Sequence, residues 1–118
     1  LVGHEPSTYH GTLHYGGAWP KNRHSGEKFK LHTGTFADKF HVFSLDWQEG
    51  KIIWSIDGEV WQTQQKWHSE KKPYPAPFDQ RFHLILNLAV GGRWPGNPDA
   101  QTKFPATMLV DYVRVYQN

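Results

Sequence analysis

The sequence contains no cysteine, so no disulfide can staple it and no thiol can act as a nucleophile. It has no apolar run near the roughly 18 residues that a membrane-spanning helix needs. It has no stripe of one charge either. Thirteen Lys and Arg stand against 11 Asp and Glu, leaving a formal net charge of +2 with histidine neutral. That balance is not the footprint of a nucleic-acid-binding protein. Helix-type periodicity is weak throughout, because 11 Gly and 8 Pro interrupt only 118 residues. No signal-peptide pattern is present in these residues.

What the chain does have is aromatic side chains, 15% of its residues, with six Trp, seven Phe and five Tyr. Large rings favour strands and pack well on pleated surfaces. Eight histidines make its charge sensitive to pH between about 5 and 8. A chain of 118 residues is one small domain, 1–118, at most.

The periodic stretches alternate with period two, the signature of strands. Thr8–Tyr15 sets Thr8, His10, Thr12 and His14 on one face and Tyr9, Gly11, Leu13 and Tyr15 on the other. Gly16-Gly17 ends it, and a polar loop follows with Trp19-Pro20 and the basic run Lys21–Lys28. Phe40–Trp47 reads as the next strand. Lys51–Asp57 and Glu59–Thr63 form a hairpin around Asp57-Gly58, a strong type I′ turn signal. A two-residue loop sets Trp54 opposite Trp61, with Ile52 and Ile56 on the face of Trp54. Trp47, Trp54 and Trp61 are expected in the core. Lys66–Gln80 carries Pro73, Pro75 and Pro77 and is a loop rather than a central strand. Phe82–Val90 and Met108–Tyr116 read as two further strands, joined by a structured loop. The expectation is an all-β, antiparallel protein.

Three segments carry a resemblance. Asn87–Gly96 reads NLAVGGRWPG, Val110–Tyr116 reads VDYVRVY, and the middle reads DWQEGKIIWSIDG. They resemble the C-terminal part of the family 16 glycoside hydrolases, the laminarinase-type β-1,3-glucanases, and the likeness runs from Leu1 to Gln117. It implies a half jelly roll of the concanavalin A-like type, with a β-glucan cleft on its concave face. The family's catalytic carboxylates sit in a G-E-I-D-I-x-E strand, which is missing from these residues. Leu1-Val2-Gly3-His4-Glu5-Pro6 is similar to the segment directly after that strand. The resemblance therefore implies a truncated form of a secreted endo-β-1,3(4)-glucanase, inactive alone. The alternatives are a β-glucan-binding module without hydrolysis, or a half-sandwich that associates with itself as a homo-oligomer or swapped dimer.

Retaining glycosidases need two carboxyl groups about 5–5.5 Å apart. Asp57 and Glu59 flank a tight turn, Asp46 and Glu49 lie before Gly50, and Glu5 lies in a turn, so none makes a convincing pair and no catalytic residue is assigned. The resemblance places His10, Thr12 and His14 in the cleft, with His14 in the family's T-x-H; a solvated sheet face is the alternative. These three cannot hold zinc by themselves, for want of further ligands. Asn87 is a second contact candidate, able to donate to and accept from a sugar hydroxyl, or else a self-satisfied amide in a sheet. Trp19 and Trp94 lie in Gly/Pro-flanked loops, as sugar-stacking platforms or as clamps on a core edge. No cofactor is required. The resemblance implies a possible calcium ligand at Asp111; a salt bridge is the alternative.

Overall fold

The computed structural model describes residues 1–117. The chain forms two compact units, Leu1–Phe82 and the residues from His83 onward. All five strands lie in the first: β1 Thr8–Gly16, β2 Asn22–Lys30, β3 Phe43–Gln48, β4 Lys51–Ile56 and β5 Glu59–Gln64. No helix occurs among the described residues. Strands β1 and β2 pair antiparallel as one sheet, and β3-β4-β5 form a second antiparallel sheet.

The β4–β5 turn follows from its two residues. Asp57 has φ 52° and Gly58 has φ 87°. A type I′ turn requires both to be left-handed, which Asp and Gly tolerate best. The turn sets Ile56 opposite Glu59 and Ser55 opposite Val60. A bulge then intervenes, and Trp54 lies opposite Gln62 rather than the expected Trp61. Trp61 is the extra residue that a bulge leaves unpaired. Released from the ladder, its ring meets Tyr9 edge-on at 5.8 Å and Phe29 at 6.0 Å.

The basic run expected as a loop is β2. Its register sets Thr12 opposite Gly26 and His14 opposite His24. Charged residues on its solvent face hide the alternation that marks a strand, yet Ser25 and Phe29 turn to the protein side. Ser25 Oγ lies 2.5 Å from Gln64 Oε1, and Gln64 Nε2 donates to Ser25 O at 3.1 Å. Gln62 Nε2 donates to Gly11 O at 3.2 Å. Two amides of β5 thus join the two sheets.

Between the sheets lies a core of Leu13, Ile52, Trp54 and Trp67, flanked by Tyr15, Trp61 and Phe78. Ile52 and Ile56 are each 2% exposed, and burying such a side chain stabilises by about 1.5–3 kcal/mol. Gly11 makes the close packing possible. A Cβ there would lie 2.6 Å from Trp61 Cη2 and 3.1 Å from Trp54 Cδ1. The proline-rich segment closes the core's edge, where Trp67 Nε1 donates to Pro75 O at 2.7 Å. Trp47, expected in the core, is instead 40% exposed. Its indole N–H donates to Phe78 O at 2.9 Å, so the ring lies along the surface. The strand expected from Phe40 begins at Phe43, after His41 and Val42 have bonded to Asp57.

The second unit has turns and chain without regular structure, and no strand among its described residues. The strands expected over Phe82–Val90 and Met108–Tyr116 are not formed. A strand needs a hydrogen-bonded neighbour, and among the described residues no strand pairs with either. Leu84, Leu86, Leu88 and Val90 are accordingly exposed. Gly96 N–H closes a turn onto Gly92 O at 3.0 Å. Asp99 Oδ1 accepts from Gln101 N at 2.9 Å and Thr102 N at 3.0 Å, and these bonds hold its carboxyl below the ordinary aspartate range. The Arg114 guanidinium lies 4.3 Å from the centre of the Tyr112 ring.

Candidate functional site

The two faces of the β1–β2 sheet differ in chemistry because strand residues alternate. Tyr9, Gly11 and Leu13 turn inward toward the β3-β4-β5 sheet. His10, Thr12 and His14 share the opposite face, as the sequence implies, together with His24 and Lys28 of β2. Thr12, His14, His24 and Lys28 are exposed, while His10 is half-buried. Gly26 opens this surface. A Cβ on it would lie 3.0 Å from Thr12 Oγ1 and 2.9 Å from Thr12 Cα. With no side chain at residue 26, the Thr12 hydroxyl stays accessible between the His14–His24 pair and Lys28.

Glu5 borders one end of this face. Its Oε2 lies 3.3 Å from His10 Nε2 and 3.6 Å from Lys28 Nζ. The concavity around it is lined by His4, Pro6, Ser7, Thr8, Lys28 and Lys30, with no second carboxylate. The Lys28–Glu5 pair is exposed and contributes at most about 1 kcal/mol, but with the His10 contact it fixes where Glu5 points. The rings of His14 and His24 lie 5.9 Å apart with their planes at 39°.

Such a surface can hydrogen-bond a polyol. Imidazole and hydroxyl groups both donate and accept, and the exposed rings offer faces for stacking. Nucleophile and acid/base carboxyls at the spacing a retaining glycosidase needs are not gathered around Glu5.

Trp19 lies in the β1–β2 connection and is 85% exposed, so it does not cover a core edge. Asn87 and Trp94 lie in the second unit, Asn87 exposed in chain without regular structure and Trp94 in the turn between Gly92 and Gly96. Of the residues expected at the site, His10, Thr12 and His14 are brought together on one sheet face. Asp111 is exposed in the second unit. No group of three or more His, Asp or Glu able to hold a metal ion occurs among the described residues. Asp111 therefore supplies one carboxylate toward the six to eight oxygens that calcium takes, without such a cluster around it among the described residues.

Sequence reasoning missed His24, Lys28 and Gly26, because it placed them in a loop. The alternation of Ser25 and Phe29 with their polar neighbours, opposite the Thr8–Tyr15 pattern, is the signal that could have paired them.

The family model for Glycosyl hydrolases family 16 matches residues 1–114. The chain is 47% identical over 122 residues to Glucan endo-1,3-beta-glucosidase A1 of Niallia circulans, covering 98% of this chain and 18% of that protein. It is 34% identical over 117 residues to the Beta-1,3-glucan-binding protein of Penaeus monodon, covering 83% of this chain and 31% of that one. Among solved structures it is similar to endo-beta-1,3-glucanase from Pyrococcus furiosus, with a TM-score of 0.66 and 38% identity over 89% of this chain and 40% of that chain. The chain spans less than half the length of each. The paired antiparallel sheets are those of a half jelly roll, and with the match over residues 1–114 the chain belongs to glycosyl hydrolases family 16.

Proposed function

We propose that these 118 residues bind β-1,3-glucan through the exposed face of β1 and β2 and do not hydrolyse it by themselves. The observation that carries this reading is the open polar surface of His10, Thr12 and His14, left uncovered at Gly26. Membership of the family and likeness to both a glucanase and a glucan-binding protein support the choice of β-glucan as ligand. The lack of a second carboxylate around Glu5 supports binding without turnover. Hydrolysis would need a second carboxyl group beside Glu5, and none lines that concavity. The setting proposed is extracellular, in keeping with a β-glucan polymer as ligand.

In this reading, Thr12 and His14 exchange hydrogen bonds with sugar hydroxyls, and Trp19 stacks on a pyranose ring. Asn87 and Trp94 belong to the second unit and are proposed as glucan contacts in their own right, each tested by its own substitution. A shallow surface buries little ligand, so affinity is about millimolar, near −4 kcal/mol. The test is a titration with laminari-oligosaccharides followed by amide chemical shifts. Shifts clustered on β1, β2 and Trp19 support the proposal. Silence at tens of millimolar, or robust release of reducing sugar by the pure chain, overturns it.

We propose self-association as a second property. Strand β3 is an edge of its sheet, and its Phe43, Leu45 and Trp47 are exposed. Unpaired edges with apolar side chains favour pairing with another chain. Light scattering on the pure protein tests it.

A further inference from the structure

We propose that His14 and His24 form a two-histidine chelate for a divalent late transition-metal ion, Zn2+ or Cu2+. The two residues are directly opposed in the β1–β2 register, so the backbone ladder holds their Cα atoms side by side whether or not an ion is present. Both side chains are on the solvent face and exposed. Their rings are 5.9 Å apart, centre to centre. A tetrahedral ion with Zn–N bonds of about 2.0–2.1 Å places two imidazole centres roughly 5 Å apart. Side-chain rotation of about an ångström closes that gap without moving the strands.

Neutral imidazole is the commonest metal ligand and suits zinc and copper. Two ligands on one side of the ion leave its other positions to water or to a ligand oxygen, the open arrangement rather than the closed structural one. Neither strand alone provides this site. His10, Thr12 and His14 on β1 lack a second imidazole at chelating distance, and β2 supplies it from across the sheet.

The experiment is a Zn2+ titration of the intact chain, without sugar, followed through histidine-ring nitrogen resonances, with affinity measured by calorimetry. The expected result is that the His14 and His24 rings shift together and saturate near one ion per chain. His14→Gln and His24→Gln should each weaken binding by roughly ten-fold or more, and His83→Gln should leave it unchanged. Cu2+ should bind the same pair more tightly than Zn2+. Both substitutions are on an exposed face, and an unchanged amide spectrum elsewhere verifies the fold. Wild-type affinity in His24→Gln overturns the proposal. So does a first-saturating site at other histidines, or a shift of only one ring of the pair.

Discussion

His41 Nδ1 lies 2.7 Å from Asp57 Oδ2 and joins the chain before β3 to the turn between β4 and β5. The other carboxylate oxygen of Asp57 accepts the Val42 N–H at 2.8 Å. One turn residue therefore fixes the start of the edge strand. The His41 ring packs edge-on against Phe36 at 5.0 Å, and its Nε2 is buried without a hydrogen-bond partner. The polar contact to Asp57 thus orients a ring that packs against Phe36 and Phe43.

That arrangement makes stability depend on acid. The Val42 N–H first, and His41 second, hold the Asp57 carboxyl below its ordinary value of 3.8. A carboxyl whose folded value is depressed adds stability above the unfolded value and loses it as pH falls through the folded one. Unfolding midpoints should drop as the pH is lowered below about 4. Asp57→Asn keeps a residue that tolerates left-handed backbone but removes the charge. It should cost about 0.5–1 kcal/mol at neutral pH, limited by solvent exposure. It should also flatten the acid limb of a denaturant-midpoint profile. An unchanged acid limb would show that other carboxylates carry the effect.

Gly11→Ala should destabilise the fold by about 1–3 kcal/mol, the usual cost of overpacking a filled core. The added methyl meets the Trp61 and Trp54 rings, and Trp61 is also packed against Tyr9 and Phe29. Its signature is a lower denaturant midpoint with an unchanged slope. Gly3→Ala, which would meet nothing within 4 Å, is the matched control.

Much of this was legible in the sequence where one face is apolar and the turn is encoded locally. Asp57-Gly58 announced its hairpin, and Ile52, Trp54 and Ile56 announced a buried face. The Trp54–Trp61 pairing failed because a bulge is a property of two strands packed against a third, and here Trp61 leaves the ladder to lie over Gly11. β2 was hidden because its face carries His24, Lys28 and Lys30 toward solvent, so no apolar alternation survives. Phe82–Val90 and Met108–Tyr116 show the opposite case. Their alternation is clear, but a strand also needs a partner, and none of the five strands pairs with them. At the site, His10, Thr12 and His14 were found by alternation and resemblance. Their β2 neighbours are marked in the sequence only by the weak alternation of Ser25 and Phe29, and the register is what places them on that face.

Glucan binding should follow the β1–β2 face. His14→Ala and Thr12→Val should each weaken laminari-oligosaccharide binding by about 0.5–1.5 kcal/mol, the net worth of one neutral hydrogen bond. Gly26→Ser should weaken it through a different route, since a side chain there meets Thr12 and the β1 backbone. Trp19→Ala should remove a stacking platform with little change in stability, because the ring is exposed. Chemical-shift titrations of the four variants distinguish these effects. Equal affinity in all of them would move the binding surface away from β1 and β2.

Self-association should depend on β3. Strand β4 pairs with it along one edge, and its other edge has no strand beside it in the order β3-β4-β5. Phe43, Leu45 and Trp47 alternate along it and are all substantially exposed. A second copy adding a strand at this edge would satisfy backbone groups and cover those side chains together. Light scattering should then give a multiple of the 13.7 kDa chain mass. Leu45→Lys should shift the population toward that single mass, because an inserted charge on an edge strand opposes pairing with another edge. Leu45 is exposed, so the substitution should leave the denaturant midpoint of the dilute chain nearly unchanged. A wild-type protein that is monodisperse at the single-chain mass across a wide concentration range would show that the edge stays solvated, and the association proposal would fail.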